Sequence, residues 1–186
     1  IFDPVLAELV YTWWCPPGGT VLDPFAGGSV RGIVASVLGL KYWGCDLRQE
    51  QIDANKSQLT EVTTGQYRPK WFCGDSAVVV PTAPLADFAF SCPPYGNLEE
   101  YSTDPADISA MPYDKFLEAY QRIITAAVGR LKPDRFACFV VANFRDRAAG
   151  VMRDLVGDTV RAFTVAGMQL YNEAILVNAV GTGAIR

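Results

Sequence analysis

The sequence predicts an α/β fold, a mostly parallel central sheet with helices on both faces. Two observations carry this. Short apolar runs alternate with helical patterns along the chain, as strand-helix units of a parallel sheet do. Polar clusters then fall just after four of the apolar runs, where open α/β sheets bind their ligands.

Taken in order, "FDPVLAELVYTWW" has Val5, Leu6, Leu9, Val10 and Trp13 at helical spacing. That predicts a helix over about residues 3–14, ended by "CPPGG". "TVLDPF" reads as a short buried strand and "SVRGIVASVLGL" as a helix opening after a glycine pair. "KYWGCDL" is a second strand, and "RQEQIDANKSQLTEV" a helix with Ile52 and Leu59 inward. "PKWFCGDS" gives a third strand and "ADFAFSCPPY" a fourth. "YDKFLEAYQRIITAAVGRL" is a long amphipathic helix stopped at Lys132-Pro133, and "RFACFVVANF" a fifth strand. A helix over about 150–166 and one long strand, Met168 to Val180, follow. The irregular stretch from Gly96 to Met111 has the length of a functional or mobile loop. The aromatics Trp13, Trp14, Tyr42, Trp43 and Trp71 read as core or pocket wall.

Composition narrows the function. The formal net charge is −4, so no overall basic face marks a dedicated nucleic-acid binder. The chain has no histidine, which removes imidazole acid-base catalysis and His-ligated zinc. Five cysteines without C-x-x-C spacing fit reduced thiols and a cytoplasmic setting. No apolar run approaches the roughly 20 residues of a membrane span, so no membrane partner is expected. All 186 residues fit one catalytic domain without a separate target-recognition domain.

The polar clusters define a candidate ligand site. "DPFAGGS" follows the first strand, with Asp23, Pro24, Phe25, Gly27, Gly28 and Ser29 leading into a helix N-terminus. Asp46, before Leu47, ends the second strand about 20 residues on, where a carboxylate can take both ribose hydroxyls. Asp75 and Ser76 end the third strand, and "SCPPY" (Ser91 to Tyr95) ends the fourth. G-x-G-x-x-G is absent, so a nucleoside-like ligand without pyrophosphate fits better than a dinucleotide. Asp23 also favours a cationic or amine-bearing ligand over phosphate.

"DPFAGGS" resembles the D-P-F-x-G-x-G cofactor motif of the DNA amino-methyltransferases, which act on adenine N6 or cytosine N4 with S-adenosylmethionine. "PPY" resembles the end of their catalytic [DNS]-P-P-[YFW] motif. "FDP" (Phe2, Asp3 and Pro4) resembles the segment closing over the methionine part of the cofactor. The motif order is gamma-like, and phage-borne DNA methylases are similar. The resemblance implies a Rossmann-like methyltransferase fold, S-adenosyl-L-methionine as cofactor and a DNA base flipped out of its helix. It also implies Asp46 at the ribose and Asp75 at the adenine. Such sheets usually close with an antiparallel hairpin, so the final edge strand is expected to be missing or outside these residues. Two departures stand out. Ser29 replaces the last glycine of the cofactor motif, and Cys92 stands at the first catalytic position.

An exocyclic amine is a poor nucleophile because its lone pair is delocalised into the ring, and acceptors for both N–H groups localise it. Pro93 and Pro94 form a rigid turn without N–H groups, and Tyr95 offers a ring for base stacking. A thiol accepts poorly, which leaves three readings of Cys92. Ser91 supplies the oxygen while Cys92 packs. Or Cys92 accepts weakly, with backbone carbonyls doing most of the work. Or Cys92 is the nucleophile of pyrimidine C5 methylation, with Glu99 or Glu100 as acid. A catalytically silent cofactor-binding subunit, needing a partner for DNA contact, is a further alternative. A homodimer, or a recognition region outside this chain, would supply target contacts. Arg145 and Arg147 are candidates for touching phosphate, and Tyr101 and Tyr113 for lining a base pocket.

Overall fold

The computed structural model describes residues 2–62, 65–96, 102, 104–146 and 149–177. The first helix, α1 (Pro4–Trp14), starts where it does because Asp3 caps it. Asp3 Oδ1 accepts from the Val5 and Leu6 amides at 2.8 and 3.4 Å, and Pro4 stands at the first helical position. Then follow β1 (Thr20–Asp23), α2 (Val30–Val37), β2 (Lys41–Asp46), α3 (Gln49–Glu61), β3 (Lys70–Cys73) and a short α4 (Ser76–Val79). β4 (Ala86–Ser91), α5 (Tyr113–Val128), β5 (Leu131–Phe139), the hairpin β6 (Phe144–Asp146) and β7 (Val151–Arg153), and α6 (Leu155–Val165) complete the order.

The sheet runs β3-β2-β1-β4-β5 with every pair parallel. All six residues of β4 are buried, as a strand covered on both faces requires. On one face Tyr11, Phe88 and Phe90 pack with Val10, Ala35 and Ile52. On the other, Phe116, Tyr120 and Ile124 of α5 pack with Leu155 of α6. Strand order reverses between β1 and β4, so the crevice of the fold opens at their carboxyl ends, at Asp23 and Ser91.

Several boundaries differ from the sequence expectation. β5 starts at Leu131 and takes Pro133 inside it. A missing N–H is tolerated there because Pro133 lies in a register shift of the β4–β5 ladder, between the Leu131 and Phe136 pairs, on the edge strand of the sheet among the described residues. The last helix starts at Leu155, where the Asp154 carboxylate accepts from the Gly157 amide, and 151–153 pair with β6 instead. The long strand from Met168 is not formed: residues 168–177 carry no strand, and 178–180 lie outside the described residues. Tyr171 rests on Phe136 and Trp14, but Ile175 and Val177 are 82% and 85% exposed. Alternating apolar residues form a strand only against a ladder partner. Among the described residues the main sheet has five strands, not seven. Trp13 faces outward at 61% exposure, while Tyr42, Trp43 and Trp71 are buried as expected.

Candidate active site

The turn after β1 is fixed from several sides. Asp46 Oδ2 accepts from the Gly27 amide at 2.9 Å, and Asn55, buried in α3, donates to the Gly27 carbonyl at 2.7 Å. The Ser76 hydroxyl donates to the Pro24 carbonyl at 2.5 Å, and the Ala26 amide to the Cys45 carbonyl at 2.8 Å. Gly27 has φ +49, a left-handed conformation that glycine adopts without strain. A Cβ built on Gly27 or Gly28 would meet nothing within 4 Å. The loop therefore turns a bare backbone surface towards open space, which suits close approach of a ligand.

Beneath the turn lies a buried polar hub. Asp23 is fully buried, with Oδ2 accepting from Arg31 Nε at 2.7 Å and from the Tyr42 hydroxyl at 2.6 Å. Its Oδ1 accepts from the Ser91 hydroxyl at 2.6 Å and the Phe25 amide at 3.2 Å. Arg31 Nη2 also donates to the carbonyls of Phe25 and Ala26, at 2.7 and 3.0 Å. Burial alone would lower the guanidinium, but the charge and hydrogen bond of Asp23 outweigh it and raise it. Burial, with the negative charge of Asp23 beside it, pushes the Tyr42 hydroxyl well up and keeps it a donor. The Phe2 ring lies 4.6 Å from the Arg31 guanidinium and edge-on to Phe90, so the segment before α1 also rests on this hub.

These contacts correct several expected roles. Asp23, expected to face the methionine end of a cofactor, instead neutralises Arg31 inside the protein. Ser29 is buried and donates to Gln58 at 2.6 Å, tying α2 to α3. Ser76 secures Pro24. Ser91 is fully buried, donating to Asp23 and accepting from the Phe25 amide, so its hydroxyl is not exposed to a substrate amine. The side chains left at the strand ends are Asp46, Leu47, Asp75, Cys92 and Tyr95. Asp46 is half-buried, and burial raises its carboxyl although the Arg48 and Gly27 amides oppose this. Asp75 Oδ1 caps α4 at the Ala77 amide, 2.9 Å away, beside a cleft of about 320 Å³ shared with Ile108, Met111 and Arg122.

Cys92 is half-buried with its Sγ 4.0 Å from the Tyr95 hydroxyl, which donates to the Val140 carbonyl at 3.5 Å. Burial raises its thiol above the ordinary 9.0, the positive charge of Arg31 opposing. Gly96, at φ +54, closes the turn where a Cβ would come within 3.0 Å of the Phe144 ring. Glu99, Glu100, Tyr101 and Arg147 lie outside the described residues. Arg145 sits in β6 with Nη1 3.4 Å from the Gly150 carbonyl, and Tyr113 is hydrogen-bonded to Asp158. Arg31, Asn55 and Gln58 were not singled out from sequence. An arginine alone in the apolar pattern of "SVRGIVASVLGL" was the signal that Arg31 has a buried partner.

No family model matches the chain. The chain is 28% identical over 125 residues to the tRNA (guanine(10)-N2)-dimethyltransferase of Pyrococcus abyssi (strain GE5 / Orsay). The match covers 66% of this chain and 36% of that protein, so the chain spans about a third of its relative. Among solved structures it is similar to TrmN from Thermus thermophilus, at TM-score 0.56 and 19% identity, over 71% of this chain and 36% of that one. It is also similar to the magnesium protoporphyrin IX methyltransferase ChlM from Synechocystis PCC 6803, a structure with bound SAM. There the TM-score is 0.63 at 14% identity, over 95% of this chain and 74% of that one. A TehB-like SAM-dependent methyltransferase from Corynebacterium glutamicum gives 0.58 at 21% identity, over 89% and 73%. The fold is the Rossmann-like methyltransferase fold. The similarity is a generic one, spread over several methyltransferases and specific to none of them.

Proposed function

We propose that this chain is the catalytic part of an S-adenosylmethionine-dependent methyltransferase acting on the exocyclic amine of a nucleobase, adenine N6 or cytosine N4 in DNA. The observation that carries this is the Cys92-Pro93-Pro94-Tyr95 turn at the carboxyl end of β4, tied through Ser91 to the bare glycine loop after β1. The residues at hand fit the cofactor: Gly27 and Gly28 leave room, and Asp46 has lone pairs to accept ribose hydroxyls. The cofactor, when bound, supplies an electrophilic methyl group on a sulfonium.

The protein's part is to hold and orient the amine. With Ser91 engaged, the acceptors are the backbone carbonyls of the turn, aided weakly by Cys92. The prolines keep that turn rigid, and the half-buried Tyr95 offers its ring to a base removed from its stack. DNA as the polymer rests on the resemblance of the motifs and their order. RNA is the second reading, favoured by the similarity to the tRNA (guanine(10)-N2)-dimethyltransferase of Pyrococcus abyssi, whose name places its methyl groups on guanine N2, also an exocyclic nitrogen.

The raised Cys92 thiol disfavours the pyrimidine C5 route, which needs a thiolate. Cys92→Ser is therefore expected to keep methyl transfer within about an order of magnitude of wild type. A thiolate route predicts a dead serine variant and a rate that climbs with pH towards the raised thiol pKa, because deprotonation makes the nucleophile. A denaturation-resistant adduct with DNA carrying 5-fluorocytosine, formed by wild type alone, would overturn the amine reading.

A further inference from the structure

We infer that Arg31 and Ser91 are positioning residues of one buried hub that couples cofactor binding to the geometry of the catalytic turn. The inference rests on the proposed cofactor reading and goes beyond it. Four parts of the site meet at this hub. Arg31 holds the loop carbonyls of Phe25 and Ala26 with one nitrogen and Asp23 with another, and the Phe2 ring lies over its guanidinium. Asp23 holds the Ser91 hydroxyl, which also accepts from the Phe25 amide at 3.1 Å. Ser91 immediately precedes Cys92 and the two prolines, so its side chain is the first anchor of the rigid turn. The loop that meets the cofactor and the turn that meets the base thus share hydrogen bonds through one serine.

Every member of this hub is buried or packed, so the loop cannot shift without moving Ser91. A ligand that stiffens the loop therefore stiffens the turn, and by linkage a base seated on the turn favours the loop's bound form. Arginine is required because its fork reaches a carboxylate and two carbonyls together, which a lysine cannot do.

The test is amide hydrogen exchange of the full chain with and without S-adenosylhomocysteine, with calorimetry on the same samples. In wild type the ligand should slow exchange at Cys92 and Tyr95 about fivefold or more. Ser91→Ala should still bind the ligand but lose that slowing, and Ser91→Thr, which keeps a hydroxyl, should restore it. Arg31→Lys gives the same comparison should Ser91→Ala fail to fold, with weaker ligand binding and reduced slowing. Undiminished slowing in Ser91→Ala or Arg31→Lys would overturn the coupling alone. Failure of folded wild type to bind S-adenosylhomocysteine would overturn the cofactor reading and the coupling with it.

Discussion

Asp23→Ala should cost about 3–5 kcal/mol of folding stability, because it leaves the Arg31 charge buried without its counter-charge. Arg31 and Asp23 are 5% and 0% exposed at their side chains, and among the described residues their 2.7 Å contact is the one ion pair that neutralises that charge. The Tyr42 and Ser91 hydroxyls lose their acceptor in the same step. A loss of this size is a large share of the roughly 5–15 kcal/mol that holds a domain folded. Asp23→Asn keeps the shape and removes the charge, so it should fall between wild type and alanine. Urea unfolding measures all three. An alanine variant within about 1 kcal/mol of wild type would show that the hub contributes little to stability.

Asp46→Ala should weaken S-adenosylmethionine binding about ten- to a hundredfold, the loss of a charge-assisted hydrogen-bonding partner worth roughly 1.5–3 kcal/mol. The carboxylate does two jobs, since Oδ2 fixes Gly27 and Oδ1 the Arg48 amide, leaving lone pairs on both for ribose hydroxyls. The pH dependence has a definite sign. Only the ionised form accepts from both hydroxyls, and burial raises this carboxyl, so acidification should weaken binding at a higher pH than for an ordinary aspartate. Calorimetry across mildly acidic pH checks both points. Unchanged affinity in a folded variant would remove Asp46 from the site.

Much of the fold was legible because burial on both faces writes itself into the chain as apolar runs. β4 and the α5 face with Phe116, Tyr120 and Ile123 are examples. Strand ends were legible for the same reason: the apolar pattern stops where Asp23, Asp46 and Ser91 begin. The tail from Met168 was misread because alternation shows which residues prefer a sheet face and not whether an edge is there to receive them. Pro133 inside β5 was missed because edge position and a register shift in the ladder are properties of the assembled sheet.

At the site, the sequence marked the residues and not their direction. "DPFAGGS" and "SCPPY" locate two turns, yet only packing shows that Asp23 and Ser91 face each other at 2.6 Å instead of facing a ligand. The long spacings that join Asp23 to Tyr42 and Gly27 to Asn55 leave no local pattern. An arginine in an apolar helix was the one local sign that a buried acid had to lie nearby.

The most direct test of amine methylation incubates the full chain with methyl-labelled S-adenosylmethionine and either unmethylated DNA or RNA, followed by nucleoside mass spectrometry. The predicted result is label on N6-methyladenine or N4-methylcytosine from the DNA. Label on an exocyclic nitrogen of RNA alone would keep the chemistry and replace the polymer. Label on 5-methylcytosine, or none in either polymer from folded, cofactor-binding protein, would contradict the proposal.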